Sequence, residues 1–392
     1  MNNKLAIISR SFAPLVIGSP ILLDNLLSNY PGEYEVIAGW QYGAKTDPKF
    51  LPRAKTNYLK IPIPIFQRIF DRFIFYFIPI IKFFIELHIK RIKPRAILGV
   101  FPSAEYFVSG FQIAKKHGIP FMVHMHDLWE ENISSDDTRK KDFAVEWEKV
   151  IFEEASIIYC MTSVQAEHYE KKYGIKTKLM PHSIQSKFLY NKTVFNTKKI
   201  NRKEKTVIYS GNISHMMNLD AVQQFVKAVN FLPDNYQVKI FTSFNKQIIK
   251  KLKLYNENII YDWLSMDDMK KEISQSDLLF LPLSHKNGAA HEVRTVFATK
   301  TLDYLVSGTP ILVFSPKNSF HSISAKKGKW GYVVDIDEPK AISDAIINVT
   351  NSNEISHELV NNAYKEALSR NADTFSEKLY NNVLSSTKNQ TL

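Results

Sequence analysis

Residues 276–316, SDLLFLPLSHKNGAAHEVRTVFATKTLDYLVSGTPILVFSP, leave the chain few ways to fold. Leu278 to Leu281 form an apolar run of strand length, and Pro282 closes it because proline cannot donate to a sheet ladder. A polar loop follows, in which Lys286, Gly288, His291, Glu292 and Arg294 are the chemically capable members. A helix is predicted from Thr299, a residue suited to the N-cap, with Leu302, Leu305 and Val306 on one face and Gly308 at its end. Thr309-Pro310 then turns the chain into a second buried strand over 311–314. Strand, loop, helix and strand in this order make a parallel-sheet unit. Such a unit aims a helix N-terminus at whatever occupies the mouth of the sheet.

Within this stretch TKTLDYLVSGTP, residues 299–310, resembles the S-K-L-x-E-Y-L-A-x-G-x-P motif of GT-B glycosyltransferases, particularly the retaining family-4 enzymes. That resemblance implies a nucleotide-sugar site with Asp303 in the place of the ribose-binding Glu. Where the family often has a second Glu, this chain has Thr295, and Glu292 is the nearest acidic residue. The same residues also suit a plain α/β turn with a solvated aspartate.

The rest of the chain reads the same way. The amino-terminal half alternates strand and helix: 5–9, 35–39, 96–101 and 121–127 are apolar strands separated by helical patterns. Gly18-Ser19 follows the first strand and opens a helix, where the family carries two glycines facing phosphate and acceptor. His124 and His126 alternate along one strand and share a face, but no third ligand stands at a spacing usual for zinc. The sequence His126-Asp127-Leu128-Trp129 ends that strand. It resembles the family's His/Arg-Asp-Leu-Trp, which implies a place for His126 and Asp127 near the sugar; a hydrogen-bonded histidine at a strand end is the alternative.

The second half restarts at TVIYSGNIS, 206–214, similar to the family's first donor-domain strand with its phosphate-approaching glycine, here Gly211-Asn212. The Arg and Lys that many relatives place just after this glycine are absent, leaving Lys286, Arg294 and Lys300 as candidates to neutralise the diphosphate. Trp263-Leu264 stands where relatives hold the nucleobase. The resemblance therefore implies catalytic roles for His126, Asp127, Arg294 and Lys300. It implies donor contacts from Gly18, Gly211, Asn212, Trp263, Leu264, Glu292, Thr299 and Asp303. Neither a metal nor another cofactor is expected, because helix N-termini and basic side chains serve the leaving group in such enzymes.

The expected architecture is α/β, two Rossmann-like domains facing a cleft, as in GT-B. An acceptor domain over 1–186 and a donor domain over 187–373 are joined by a polar, basic stretch at 186–205, with the helix from 374 crossing back to the first domain. A length of 392 residues allows two cores. One cysteine, Cys160, excludes an internal disulfide framework and sits in an apolar run, where a buried inert thiol is expected. With 51 Lys+Arg against 39 Asp+Glu, the net charge of +12 suits an anionic partner, though no nucleic-acid motif is present.

Residues 61–92 are rich in Phe and Ile but broken by Arg68, Asp71, Arg72, Lys82 and Glu86, so no uncharged run approaches the roughly 18–20 residues of a membrane span. An amphipathic or buried helix pair is expected there, kinked near Pro79, with contact to an anionic bilayer as the sharper possibility. With no signal peptide at the start, the expected setting is cytoplasmic, at the membrane face, in assembly of a bacterial surface polysaccharide on a lipid-linked acceptor. Two rivals remain open: a sugar-nucleotide epimerase or phosphorylase on the same fold, and an inactive sugar-binding chain that supports a partner.

Overall fold

In a computed structural model of the protein, residues 3–15, 18–39, 55–59, 77–134, 136–189, 203–286 and 290–386 are described. The chain divides into two compact units, Met1–Gln185 with Ala372–Leu392, and Ser186–Asn371. Each is a parallel sheet wrapped by helices.

The first unit runs β1 (Leu5–Ser9), α1 (Gly18–Leu27), β2 (Tyr34–Gly39), β3 (Lys55–Leu59), α2 (Ile78–Ile92), β4 (Ala96–Phe101), α3 (Ala104–His117), β5 (Phe121–Met125), α4 (Thr138–Glu154), β6 (Ile157–Cys160), α5 (Ser163–Tyr173) and β7 (Lys178–Leu179). Its seven strands lie in the order β3-β2-β1-β4-β5-β6-β7, all parallel. Near-continuous apolar runs make such strands because both sheet faces are covered. Ala6 and Ile8 of β1 enter one core with Ile97 and Val123, while Leu5 and Ile7 enter the other with Leu98 and Met122. Helix α3 ends where Gly118 takes a left-handed φ of 59° and its N–H returns to the last turn.

The second unit runs α6 (Ser186–Leu189), β8 (Lys205–Ser210), α7 (Leu219–Ala228), β9 (Tyr236–Phe241), α8 (Lys246–Lys251), β10 (Ile259–Asp262), α9 (Met266–Gln275), β11 (Leu278–Pro282), α10 (Ala290–Thr295), α11 (Lys300–Leu305), β12 (Ile311–Phe314), α12 (Phe320–Gly328), β13 (Tyr332–Val334), α13 (Pro339–Asn351) and α14 (Asn353–Ser369). The six strands lie in the order β10-β9-β8-β11-β12-β13, again parallel. Helix α15 (Ala372–Ser385) belongs to the first unit and packs on α1. In both sheets the strand order reverses beside the first strand of the unit, and ligands of open α/β sheets bind at the carboxyl ends flanking that switch point.

One local expectation changes. Pro79 does not kink a helix: it occupies the first turn of α2, where its missing N–H has no helical partner to lose. Residues 61–76, including Phe66, Arg68, Phe70, Arg72 and Phe73, lie outside the described residues, as do 190–202 of the expected linker and Gly288. Cys160 is fully buried at the end of β6, and burial pushes its thiol up to about 12, so it is an inert core side chain.

Candidate functional site

Strand β8 ends at Ser210 and Gly211-Asn212 follow it, and a cavity of about 340 Å³ opens at the carboxyl ends of β8, β9 and β10. Gly211, Asn212, Trp263, Leu264, Lys300 and Asp303 all line it. These are six of the residues singled out from the sequence, drawn from three separate segments of the second unit. Gly211 has φ of 121°, a left-handed conformation that an L side chain rarely adopts. A Cβ there would sit 3.0 Å from Lys300 Nζ and 3.1 Å from Cε, so the bare glycine also makes room for the lysine.

Lys300 starts α11 and reaches back across β8. Its Nζ donates to Tyr209 Oη at 2.9 Å and lies 4.2 Å from the centre of the same ring. Tyr209 gives its own proton to the Asn212 carbonyl and accepts a second bond from Asn218, so its hydroxyl is fully used. Among the described residues no carboxylate stands within ion-pair distance of Lys300. Burial lowers its pKa from 10.5 to about 7, which is the signature of a cation enclosed without a counter-ion.

Asp303 follows one helical turn later, so it shares the cavity face with Lys300. The surrounding protein raises its carboxyl above the usual range, while Lys270 opposes that rise. The carboxylate is exposed to the cavity and makes no hydrogen bond among the described residues. Tyr304 beside it ties α11 to β8, its hydroxyl accepting from the Ser210 N–H at 3.0 Å. The opposite wall is apolar: Met266, Met269 and Ile273 of α9, with Trp263, which is 62% exposed. Lys270 interrupts this wall, held 4.4 Å from the Phe188 ring centre. The cavity thus offers one cationic end, one carboxylate beyond it and an apolar slot, the chemistry of a diphosphate, a diol and a flat ring.

Other predicted donor residues stand elsewhere. Arg294 and Lys286 are exposed, and neither lines the cavity; nor do Glu292 and Thr299. Glu292 is half-buried with its carboxyl raised by burial. Thr299 is not a side-chain cap: its backbone is helical (φ −55°, ψ −37°) and its hydroxyl makes no capping bond. His321 performs that task instead, its Nε2 accepting from the Ala298 N–H at 3.3 Å and lying 3.1 Å from Thr301 Oγ1.

In the first unit, the strand alternation that pairs His124 with His126 brings their rings to 4.5 Å in a T-shaped contact. His126 Nδ1 lies 2.9 Å from Ser19 Oγ, and its Nε2 lies 3.3 Å from His124 Nδ1. His124 Nε2 in turn faces the Met180 carbonyl at 3.2 Å and Met161 Sδ at 3.1 Å. Burial holds both rings neutral, His124 at about 4 and His126 well below the usual range. Gly18 is exposed at the start of α1, and Asp127 is half-buried just after β5.

Residues 191–366 match the family model described as glycosyl transferases group 1. The fold is shared with sucrose-phosphate synthase of Thermosynechococcus elongatus, at a TM-score of 0.71 and 14% identity over 98% of this chain and 100% of that one. It is shared also with Anabaena HepE in complex with UDP and glucose (TM-score 0.69, 13% identity, 98% and 100% covered). A glycosyltransferase from Rickettsia africae gives a TM-score of 0.69 at 12% identity, covering 98% of this chain and 99% of that one. The chain has the GT-B fold, and residues 191–366 of its second half resemble the group 1 glycosyl transferases. A comparison with curated protein sequences gives no significant match.

Within the second unit, sequence reasoning missed Tyr209, Lys270, Tyr304 and His321. Lys270 carried a signal: Met266, Met269, Lys270 and Ile273 recur at helical spacing, so one face of α9 was bound to present all four together. In the other unit of the GT-B chain, the described carboxylates that converge most closely are Glu130, Glu131 and Glu148. Lys172 Nζ stands 2.7 Å from an oxygen of each, so an ammonium already fills the position a metal would take.

Proposed function

We propose that the protein is a glycosyltransferase that moves a sugar from a nucleotide-sugar donor, held by the second unit, to a saccharide acceptor. The observation that carries this reading is the pair Lys300 and Asp303, one turn apart on one helix face, the first with no carboxylate partner and the second open to the cavity. In the reaction the bond from the anomeric carbon to the diphosphate oxygen breaks, and its electron pair leaves with the nucleoside diphosphate. An acceptor hydroxyl forms the new bond and loses its proton. Lys300 would stabilise the departing charge, and Asp303 would accept from the ribose hydroxyls. No metal is needed on this reading, because the cavity supplies its own cation. Retention of configuration is part of the proposal, as is a role for His126 and Asp127 on the acceptor side. HepE, which shares the fold, has structures with UDP and with UDP-glucose, and this supports a uridine or similar donor.

A panel of UDP-, GDP- and dTDP-sugars in thermal-shift measurements tests the donor assignment, since a ligand at 100 times its dissociation constant adds about 2.7 kcal/mol. At least one sugar nucleotide should raise the melting temperature, and slow donor hydrolysis should follow. A panel without any shift would remove the assignment. Release of an epimerised sugar nucleotide without acceptor would favour the epimerase reading, and binding without turnover the non-catalytic one.

We further propose that the acceptor is lipid-linked, within surface-polysaccharide assembly at the cytoplasmic membrane face. No helix among the described residues is long and apolar enough to cross a membrane. Helix α2 instead has two faces. Ile81, Ile85, Ile89 and Ile92 enter the core, while Ile80, Phe83, Phe84 and Leu87 form an exposed stripe at helical spacing. Lys90 and Arg91 stand at its carboxyl end, and each basic residue near an anionic leaflet contributes about 1 kcal/mol. Co-sedimentation with liposomes should require acidic lipid, weaken with salt and drop sharply in a Phe83→Gln, Phe84→Gln double variant. Equal recovery in the supernatant with and without anionic vesicles would contradict the membrane reading.

A further inference from the structure

The chain Ser19, His126, His124 and Met180 has a direction that its end imposes. A carbonyl oxygen carries no proton, so His124 Nε2 must donate to Met180 O. A neutral His124 then has a bare Nδ1, which must accept from His126 Nε2 across 3.3 Å. The same logic leaves His126 Nδ1 bare, and the proton of the 2.9 Å contact must come from Ser19 Oγ. Every hydrogen in the row is therefore assigned by one backbone carbonyl. The reverse set of tautomers would place a bare His124 Nε2 against the Met180 carbonyl oxygen.

This has a consequence for Ser19. A serine beside a glycine at the start of a helix ordinarily can donate to a phosphate oxygen. Here its single proton is committed inward to His126, and no other partner meets its Oγ among the described residues. Ser19 is half-buried rather than enclosed, and no donor meets its two lone pairs among the described residues. We infer that Ser19 Oγ is an accept-only binding group in the first unit, built to take a hydrogen bond from a neutral hydroxyl of a saccharide and to refuse an anion. The saccharide class rests on the glycosyl-transfer reading above; the direction of the hydrogen-bond row does not.

Long-range proton–nitrogen spectra of the uniformly labelled full chain near neutral pH report which ring nitrogens carry protons. The His124 and His126 signals are assigned by their loss in His124→Gln and His126→Gln. Both Nδ1 atoms should be unprotonated and both Nε2 atoms protonated. A protonated Nδ1 on His126, or an imidazolium on either ring, would overturn the inference without touching the donor assignment. Titration then tests the ligand class. Methyl α-glucoside should move the His126 Nδ1 signal in the wild type and leave it unmoved in Ser19→Ala, while inorganic phosphate should leave it unmoved in both. A phosphate-induced change at Nδ1 would mean that Ser19 can turn its proton outward, and the inference fails. No response to glucoside, in a chain whose melting point UDP-sugar still raises, removes the saccharide class and spares the donor site.

Discussion

Replacing Lys300 with methionine should yield a protein that melts higher and turns over far more slowly. The folded-state pKa of about 7 lies below the ordinary 10.5. A lowered lysine pKa is a cost to the fold, present in full below the folded value and vanishing as pH rises toward the unfolded one. Each unit of that interval is worth about 1.36 kcal/mol, and in a domain of this size about 1 kcal/mol moves the melting point by roughly 2–4 °C. Methionine keeps an unbranched side chain and removes the charge, while Tyr209 retains its bonds to Asn212 and Asn218. The gain in melting temperature should therefore be several degrees at neutral pH or below and should disappear at strongly alkaline pH. Donor turnover should fall by about 10²–10³-fold, the scale of removing one group that stabilises a developing charge. A diphosphate favours the charged amine, so wild-type affinity for the donor should weaken as pH rises through 7. The variant should lack that slope. A Lys300→Met protein that melts lower and transfers sugar normally would show that this amine is a structural side chain.

Asp303→Ala should raise the donor dissociation constant by roughly ten- to hundredfold, the range of a charge-assisted hydrogen bond of about 1.5–3 kcal/mol. Its carboxyl is held above the usual range, so affinity should be lost on acidification earlier than an ordinary aspartate would require. Asp303→Asn keeps one accepting oxygen and should lose less. Isothermal titration with the intact donor and with a 2′,3′-dideoxy nucleotide separates the cause. If alanine weakens both ligands equally, the carboxylate does not meet the ribose.

The parallel architecture was legible because both sheets are written in short apolar runs, each followed by a helical pattern and a turn residue. Lys300 and Asp303 were legible for a related reason: three residues apart in a helix, they had to share a face. Arg294 shows the limit. It is six residues from Lys300 in sequence, but the helix breaks over Val296 to Thr299, and the arginine side chain leaves on the exposed side. Lys270 shows the converse. It lines the same cavity from thirty residues upstream, and only the placement of β10 and α9 beside β8 and β9 brings it there. The tautomer of His126 was equally out of reach, since it depends on a carbonyl fifty-four residues further along the chain.

The short helix that carries Lys300 and Asp303 is held from a distance. His321 fastens its first residues by accepting from Ala298, Phe297 stacks on the His321 ring at 5.1 Å, and Arg370 lies 3.9 Å above Phe297. Arg370 is the next-to-last residue of the second unit. The point where the polypeptide leaves that unit is thus riveted, through two rings, to the segment in front of its two cavity-facing charges. A nick or a truncation at this exit would loosen the Ala298 anchor, and with it the start of the helix, although it removes no residue that lines the cavity.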